Sequence, residues 1–306
     1  MDLAHCNTSS TVQAGDVVLL FVNRLCMVPV TVTPHASSHA GRGHYYHSSI
    51  IGQPFGSTVK STTSETCRVL KITPELWTGA LSHRTQIMYL PDISVIIGRL
   101  HLRPGSRVVE AGTGSGSLTH SLIRSVAPNG HVFTFEFHEG RAQSAKEDFE
   151  RHGLCSLVTS NHRDVIDEGF LLDEALPPHT ADALFLDVPS PWKAIHHVFE
   201  VLVPNAVFCS FSPSAEQIQK TLSSISSHGG FVLPQVIAVQ CFPYDLKPLT
   251  TKKTDRFTNE TSDLLDSFAS VLPTNSTDDS SYVHKKTGMD RLHTGYLLFI
   301  RKGLDE

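Results

Sequence analysis

Residues 107–117 read Arg107-Val-Val-Glu-Ala-Gly-Thr-Gly-Ser-Gly-Ser117, and this stretch decides the fold. Arg107–Glu110 has the composition of a buried strand. Gly112, Gly114 and Gly116 then permit a tight turn, and Ser117–Val126 has the spacing of a helix with Ser117 as its N-cap. Strand, glycine turn and helix N-terminus in succession make the ligand-binding corner of an α/β sheet. Glycines let a ligand approach the backbone, while exposed N–H groups and the helix dipole favour polar or anionic groups.

Two ligand classes use such a corner. A dinucleotide fold asks for G-x-G-x-x-G, but here the third glycine position falls on Ser117. The glycines instead follow E-x-G-x-G-x-G from Glu110, a pattern that resembles S-adenosylmethionine (AdoMet) methyltransferases. In those enzymes the acid at the strand end lies near the amino-acid part of the cofactor. The next strand, His131–Phe137, carries Glu136 at its end. An acid there accepts hydrogen bonds from both hydroxyls of an adenosine ribose.

Composition narrows the remaining possibilities. The chain has 306 residues, 40% hydrophobic and 18% charged, enough for one large domain or a medium α/β domain with a small companion. No apolar run is long enough to span a membrane. The N-terminus shows neither a secretory signal nor a mitochondrial-type leader. The six cysteines are scattered without C-x-x-C spacing, which favours reduced thiols over disulfides or zinc. The eighteen histidines are dispersed, so no metal site is expected. The net charge of −5 is unlike that of a chain that binds a polyanion by itself. A nucleic-acid substrate would need local basic patches or a second subunit.

Along the chain, residues 1–73 read as a small N-terminal β domain. Val12–Val32 forms a hairpin, His35–His47 a loop or turn, Ile50–Ser57 a short strand entering a turn, and Thr66–Ile72 another strand. Residues 74–306 read as the α/β domain. Thr73 and Pro74 make an N-cap and N1 pair opening a helix to Leu81, and Asp92–Leu100 is a second helix. After the glycine corner, helix and strand alternate: helix His138–His152, strands Ser156–Asp164 and Ala181–Val188, helix Pro191–Leu202, strand Ala206–Ser212, helix Ser214–His228 and strand Phe231–Cys241. Near-continuous apolar strands interleaved with helices mean a mainly parallel sheet covered on both faces. Residues 245–292 are rich in Thr, Ser, Asp, Asn and Lys and read as a mostly disordered insertion. Thr294–Lys302 returns as a seventh strand, paired with the sixth as a hairpin around that insertion.

Ligands of such sheets sit at the carboxyl ends of the strands. Glu110, Glu136, Asp164 and Asp187 all end strands on that edge. Asp164 is placed to bond an adenine amino group of the cofactor or to cap the following segment. Asp187 opens Asp187-Val-Pro-Ser-Pro-Trp192, related to but different from the Asn/Asp-Pro-Pro-Tyr loop of enzymes that methylate exocyclic amines. A carboxylate here accepts a hydrogen bond from an adenine amino group and stabilises the cation formed when ring N1 is methylated. Trp192 is suited either to stacking on a base or to packing.

Taken together, His83-Arg84-Thr85-Gln86, Glu110–Ser117, Glu136-Phe-His, Asp187–Trp192, Phe208-Cys-Ser-Phe-Ser-Pro213 and His293-Thr-Gly-Tyr-Leu resemble the catalytic-subunit family of tRNA (adenine-58-N1)-methyltransferases, in its eukaryotic nuclear and cytosolic form. The resemblance covers residues 12–245 and 293–302. It implies a class I AdoMet-dependent methyltransferase fold, a Rossmann-like seven-stranded sheet, with a small N-terminal β-barrel-like domain. It implies AdoMet as cofactor, and contacts to it from Gln86, Glu110, Gly112, Thr113, Gly114, Ser115, Gly116, Ser117, Glu136, Arg141, Asp164, Val165 and Asp187. Asp187 is the implied catalytic residue. It also implies tRNA as substrate, a related non-catalytic tRNA-binding subunit in a two-plus-two heterotetramer, and the nucleus as location. Two alternatives share parts of this pattern: a protein-directed class I methyltransferase, and a non-catalytic RNA-binding paralogue.

Overall fold

The computed structural model describes residues 9–81, 87–240 and 295–304, with 244–248 and 282–286 described by backbone alone. Two compact units result, one of residues 1–239 and 293–306, the other of residues 240–292.

The first unit begins with a four-stranded antiparallel sheet of β1 (Val17–Asn23), β2 (Cys26–Thr31), β5 (Thr58–Lys60) and β6 (Thr66–Lys71), in the order β2-β1-β6-β5. Between them β3 (Ser37–Ala40) and β4 (Gly43–Tyr46) pair as a separate hairpin. Side chains alternate across β1: Val18 and Leu20 enter a core with Tyr45, Cys67 and Val69, whereas Leu19 joins the core beneath the larger sheet. Helix α1 (Pro74–Ala80) follows. Thr73 caps it by accepting from Leu76 N at 3.3 Å, with Pro74 at the first turn, as the sequence predicts.

Helix α2 (Leu90–Arg99) leads into the larger sheet. Its strands are β7 (Arg107–Ala111), β8 (His131–Glu136), β9 (Val158–His162), β10 (Ala181–Leu186), β11 (Leu202–Ser212), β12 (Phe231–Ala238) and, closing the unit, β15 (Tyr296–Lys302). Between them run α3 (Ser117–Val126), α4 (Glu139–Arg151), α5 (Ile195–Val201) and α6 (Ala215–His228). The order is β12-β15-β11-β10-β7-β8-β9. Strands β9 to β11 pair in parallel, while β15 runs antiparallel to both β11 and β12, so the sheet is mixed. Period-two alternation sends Val108, Phe185, Cys209 and Phe299 to the face covered by α1, α2 and α3, and Val109, Leu184, Phe208 and Leu298 to the face covered by α5 and α6. Each such fully buried aliphatic or aromatic side chain contributes roughly 1.5–3 kcal/mol.

The chain leaves β7, lays β8 and β9 on one side, then crosses back to set β10 on the other. That reversal makes a crevice at the carboxyl ends of β7 and β10.

Several local expectations change. The His35–His47 stretch, expected as a loop or turn, contains the β3–β4 hairpin. Its hairpin bonds are supplemented by His47, whose Nδ1 lies 2.9 Å from Thr33 N and whose Nε2 lies 2.9 Å from Ser38 Oγ. Ile50–Ser57 forms turns rather than a strand, with one bridge between Thr11 and Pro54, and β5 follows it. The expected helix from Pro191 is instead a 3-10 turn (Pro191–Lys193) and α5, joined at Ala194, and Leu202 already belongs to β11. Ser117 is the first residue of α3 rather than its cap; Gly116 holds the cap position at φ +73°. In the second unit, β13 (Tyr244–Pro248) and β14 (Tyr282–Lys286) pair antiparallel within the stretch read as disordered, and residues 249–281 lie outside the described residues.

Candidate active site

The glycine turn is built from the ladder outward. Gly112 N donates to Phe135 O at 2.9 Å, and Asp187 N donates to Ala111 O at 2.8 Å, so the loops leaving β7 and β10 continue the pairing of their strands. Gly112 (φ +93°), Gly114 (φ +54°) and Gly116 (φ +73°) all take left-handed backbone, which glycine adopts without strain. A Cβ on Gly112 would stand 2.2 Å from the Asp187 carbonyl oxygen.

These loops enclose a cavity of about 400 Å³ whose lining includes Gly112, Thr113, Gly114, Ser115, Ser117, Glu136, Arg141 and Asp187. Glu136 is buried and its carboxylate is well bound. Oε1 accepts from His138 N at 3.0 Å and from Arg141 at 2.9 and 2.6 Å, and Oε2 accepts from Gly114 N at 2.9 Å. Burial alone would raise its pKa, but Arg141 and the two backbone donors hold it below the ordinary carboxylate range. Oε2 keeps capacity for a further donor from the cavity.

Asp187 is reachable from the cavity yet flanked by protein. That crowding, and the nearby charge of Glu136, push its pKa up to about 6. Glu110 lies beneath the turn rather than on the cavity wall. It is 1% exposed and accepts from Thr119 at 2.6 Å and Thr134 at 2.7 Å. Burial drives its pKa up to about 7 against those two hydroxyls. Thr113 Oγ1 extends the chain, 2.5 Å from Thr134 Oγ1. Ser117 donates to Met88 O at 2.9 Å and meets Thr78 Oγ1 at 2.8 Å, tying α3 to the segment before α2 and to α1.

The crevice thus gathers Gly112, Thr113, Gly114, Ser115, Ser117, Glu136, Arg141 and Asp187, with Gly116 capping α3 beside them. Asp164 and Val165 stand apart from this lining. Asp164 Oδ1 accepts from Ile166 N at 2.9 Å in the turn after β9, and Val165 is buried in the core under α5. Gln86 lies outside the described residues. Trp192 packs: its carbonyl accepts from Ser224 at 2.7 Å, and Lys220 Nζ lies over its ring, 5.3 Å from the centroid.

Behind the turn lies a group that sequence reading passes over. His120 Nδ1 is 2.6 Å from Gly116 O, and its Nε2 is 2.9 Å from His152 Nδ1. Trp77 packs on both rings, at 5.4 and 4.5 Å between centroids. Burial lowers the pKa of His120 to about 4 and that of His152 to about 3, so both are neutral. His120 therefore donates from Nδ1 to the cap carbonyl and clamps Gly116. The available signal is spacing: His120 lies one helical turn after Gly116.

The site also suits AdoMet on its own chemistry. Gly112 and Gly114 present side-chain-free backbone on the cavity wall, and Glu136 and Asp187 line it with acids that complement a cation. Among the described residues no cluster of His, Cys, Asp and Glu could hold a metal ion.

The profile of the family described as "tRNA methyltransferase complex GCD14 subunit" matches residues 65–302. A relative from Cryptococcus neoformans var. neoformans, named tRNA (adenine(58)-N(1))-methyltransferase catalytic subunit TRM61, is 46% identical over 222 residues, covering 71% of this chain and 50% of its own. A similarly named Dictyostelium discoideum protein is 44% identical over 217 residues, covering 70% of this chain and 69% of its own. The chain thus spans about half the length of the Cryptococcus relative. Among solved structures, a SAM-dependent O-methyltransferase from Thermotoga maritima superposes with TM-score 0.76 at 24% identity, over 98% of both chains. The tRNA (m1A58) methyltransferase TrmI from Aquifex aeolicus superposes with TM-score 0.69 at 23% identity, over 97% of this chain and 100% of its own. These two likenesses give the fold, that of class I AdoMet-dependent methyltransferases. The extent of the profile match and the identity to the relatives give the family: this chain belongs to the GCD14 subunit family of the tRNA methyltransferase complex.

Proposed function

We propose that this chain transfers a methyl group from AdoMet to N1 of adenosine 58 in the T-loop of tRNA, as the catalytic subunit of a two-component complex. The observation that carries the reading is Asp187, a carboxylate at the switch point of the sheet in the same cavity as the glycine turn and Glu136. The names of the relatives support the choice of base and position.

Gly112, Gly114 and Ser115 supply the backbone that approaches the cofactor. Glu136, oriented by Arg141, offers Oε2 to the ribose hydroxyls. When bound, AdoMet supplies an electrophilic methyl group on a sulfonium sulfur. Adenine N1 carries a free lone pair, so no strong base is needed to create the nucleophile. What the reaction needs is compensation for positive charge growing on the ring. Asp187 accepts a hydrogen bond from the N6 amino group and takes an N6 proton as the methylated ring forms. Its raised pKa, about 6, makes it a better proton acceptor than an ordinary aspartate while leaving it mostly ionised at neutral pH.

The net charge of −5 gives little counterion-release affinity for RNA. A related non-catalytic subunit completes the tRNA surface, with two copies of each chain under closed symmetry, working in the nucleus. The test uses the full chain purified with its partner, labelled methyl donor and tRNA. The expected product is 1-methyladenosine at position 58, absent when guanosine replaces that adenosine. Label in a peptide substrate and none in tRNA would overturn the reading.

A further inference from the structure

Resting on that reading, we propose that Gln217 is a second reader of the substrate's exocyclic amine, and so a specificity-determining residue. Gln217 stands in the first turn of α6. Its own N–H donates to the Ser214 cap at 3.4 Å, and its carbonyl accepts from Thr221 at 2.8 Å, so the backbone there is fixed. Its side chain lines the same cavity as Asp187, Val188, Pro189, Phe211 and Pro213. Its Oε1 is shielded from solvent and has no hydrogen-bond partner. A buried amide oxygen left unpaired is costly and rare. In the present rotamer this oxygen is closed off, and turning the amide towards the cavity that Gln217 lines would let a ligand supply the missing donor.

The adenine N6 amine carries two hydrogens. Asp187 takes one, and the other needs an acceptor. Rotation about the terminal torsion of Gln217 exchanges its oxygen and nitrogen, so Oε1 can turn to the cavity without moving the backbone. An amide suits the place better than a third acid. Glu136 and Asp187 already share the cavity, and another carboxylate beside them would be forced towards its protonated, donating form. Two acceptors at one amine would also disfavour guanine, whose O6 would face both of them.

The experiment is a comparison of single-turnover rates for the partnered full chain on T-arm RNA carrying adenosine or purine riboside, which lacks the amine, at the target position. Wild type is expected to favour adenosine by on the order of 10²-fold, since a site built to bond an amine rejects the analogue without it. Gln217→Leu is expected to shrink that ratio about 10-fold, because one of two hydrogen bonds is gone. Gln217→Met, whose sulfur is only a weak acceptor, repeats the measurement should Leu disturb α6. AdoMet affinity by calorimetry is expected to stay within about 2-fold of wild type, because the bond removed is made to the base and not to the cofactor. If both variants keep the wild-type ratio, or if they lose AdoMet binding along with rate, Gln217 is structural and the inference falls. If wild type does not methylate the adenosine RNA, the parent reading fails and takes this inference with it.

Discussion

The carbonyl oxygen of Asp187 lies 2.2 Å from the point where a Cβ on Gly112 would stand. The loop that carries the candidate catalytic carboxylate is therefore seated on the glycine turn that would hold the cofactor. A side chain at Gly112 cannot be accommodated without moving Asp187.

Gly105 provides the control. Gly105 and Gly112 share φ +93°, but a Cβ on Gly105 meets nothing within 4 Å. Gly105→Ala should cost about 1 kcal/mol from left-handed strain and leave methyl transfer intact. Gly112→Ala carries the same strain plus the clash, and should lose roughly 10²-fold in rate through misplacement of Asp187. Equal rates for the two variants would show that the close approach has no functional weight.

Glu110 should reveal itself in the pH dependence of stability. Its folded pKa, about 7, lies above the ordinary value of 4.5, so its stabilising contribution is full below the unfolded pKa and is lost as pH rises through 7. Gln at this position still accepts from Thr119 and Thr134 but carries no charge. Glu110→Gln should therefore gain stability relative to wild type by about 2 kcal/mol between pH 5.5 and pH 8. Denaturant unfolding at both pH values measures this; a gap that stays constant means Glu110 does not titrate in that window.

The acid limb of activity belongs to Asp187. With its pKa raised to about 6, kcat/KM should fall tenfold per pH unit below that value, as the protonated form lacks the charge that steadies the methylated ring. Glu110→Gln should retain this limb. Loss of the limb in Glu110→Gln would move the titration to the buried acid beneath the turn.

RNA affinity should depend on the second subunit. At physiological salt the single chain, with net charge −5, should bind tRNA far more weakly than the partnered complex. Comparable binding by the isolated chain in a salt titration would mean that its own basic patches suffice.

Much of this site is legible in the residues because strand ends and glycines are local signals. Glu110, Gly112, Gly114, Gly116, Glu136 and Asp187 fall at the ends of apolar runs, and the sheet order then brings β7 and β10 together. What is not legible depends on distant partners. The β3–β4 hairpin has Ser, His and Gly where alternating apolar residues would announce a strand; it relies on buried Tyr45 and on His47 bridging Thr33 and Ser38. Ser117 looks like a cap by type, but Gly116 in left-handed backbone takes that place and frees the hydroxyl for Met88 and Thr78. The depth of Glu110 follows from Thr119 and Thr134, nine and twenty-four residues away. The clamp on Gly116 needs His152, thirty-two residues from His120.

Single-turnover methylation by the partnered Asp187→Asn protein tests the central claim most directly. An amide can keep a hydrogen bond but not the charge, and removing one preorganised group of this kind costs about 10²–10³ in rate. The expected result is a loss of that size with AdoMet affinity and fold retained. A rate within about 3-fold of wild type, less than a single ordinary hydrogen bond is worth, would contradict catalysis by Asp187.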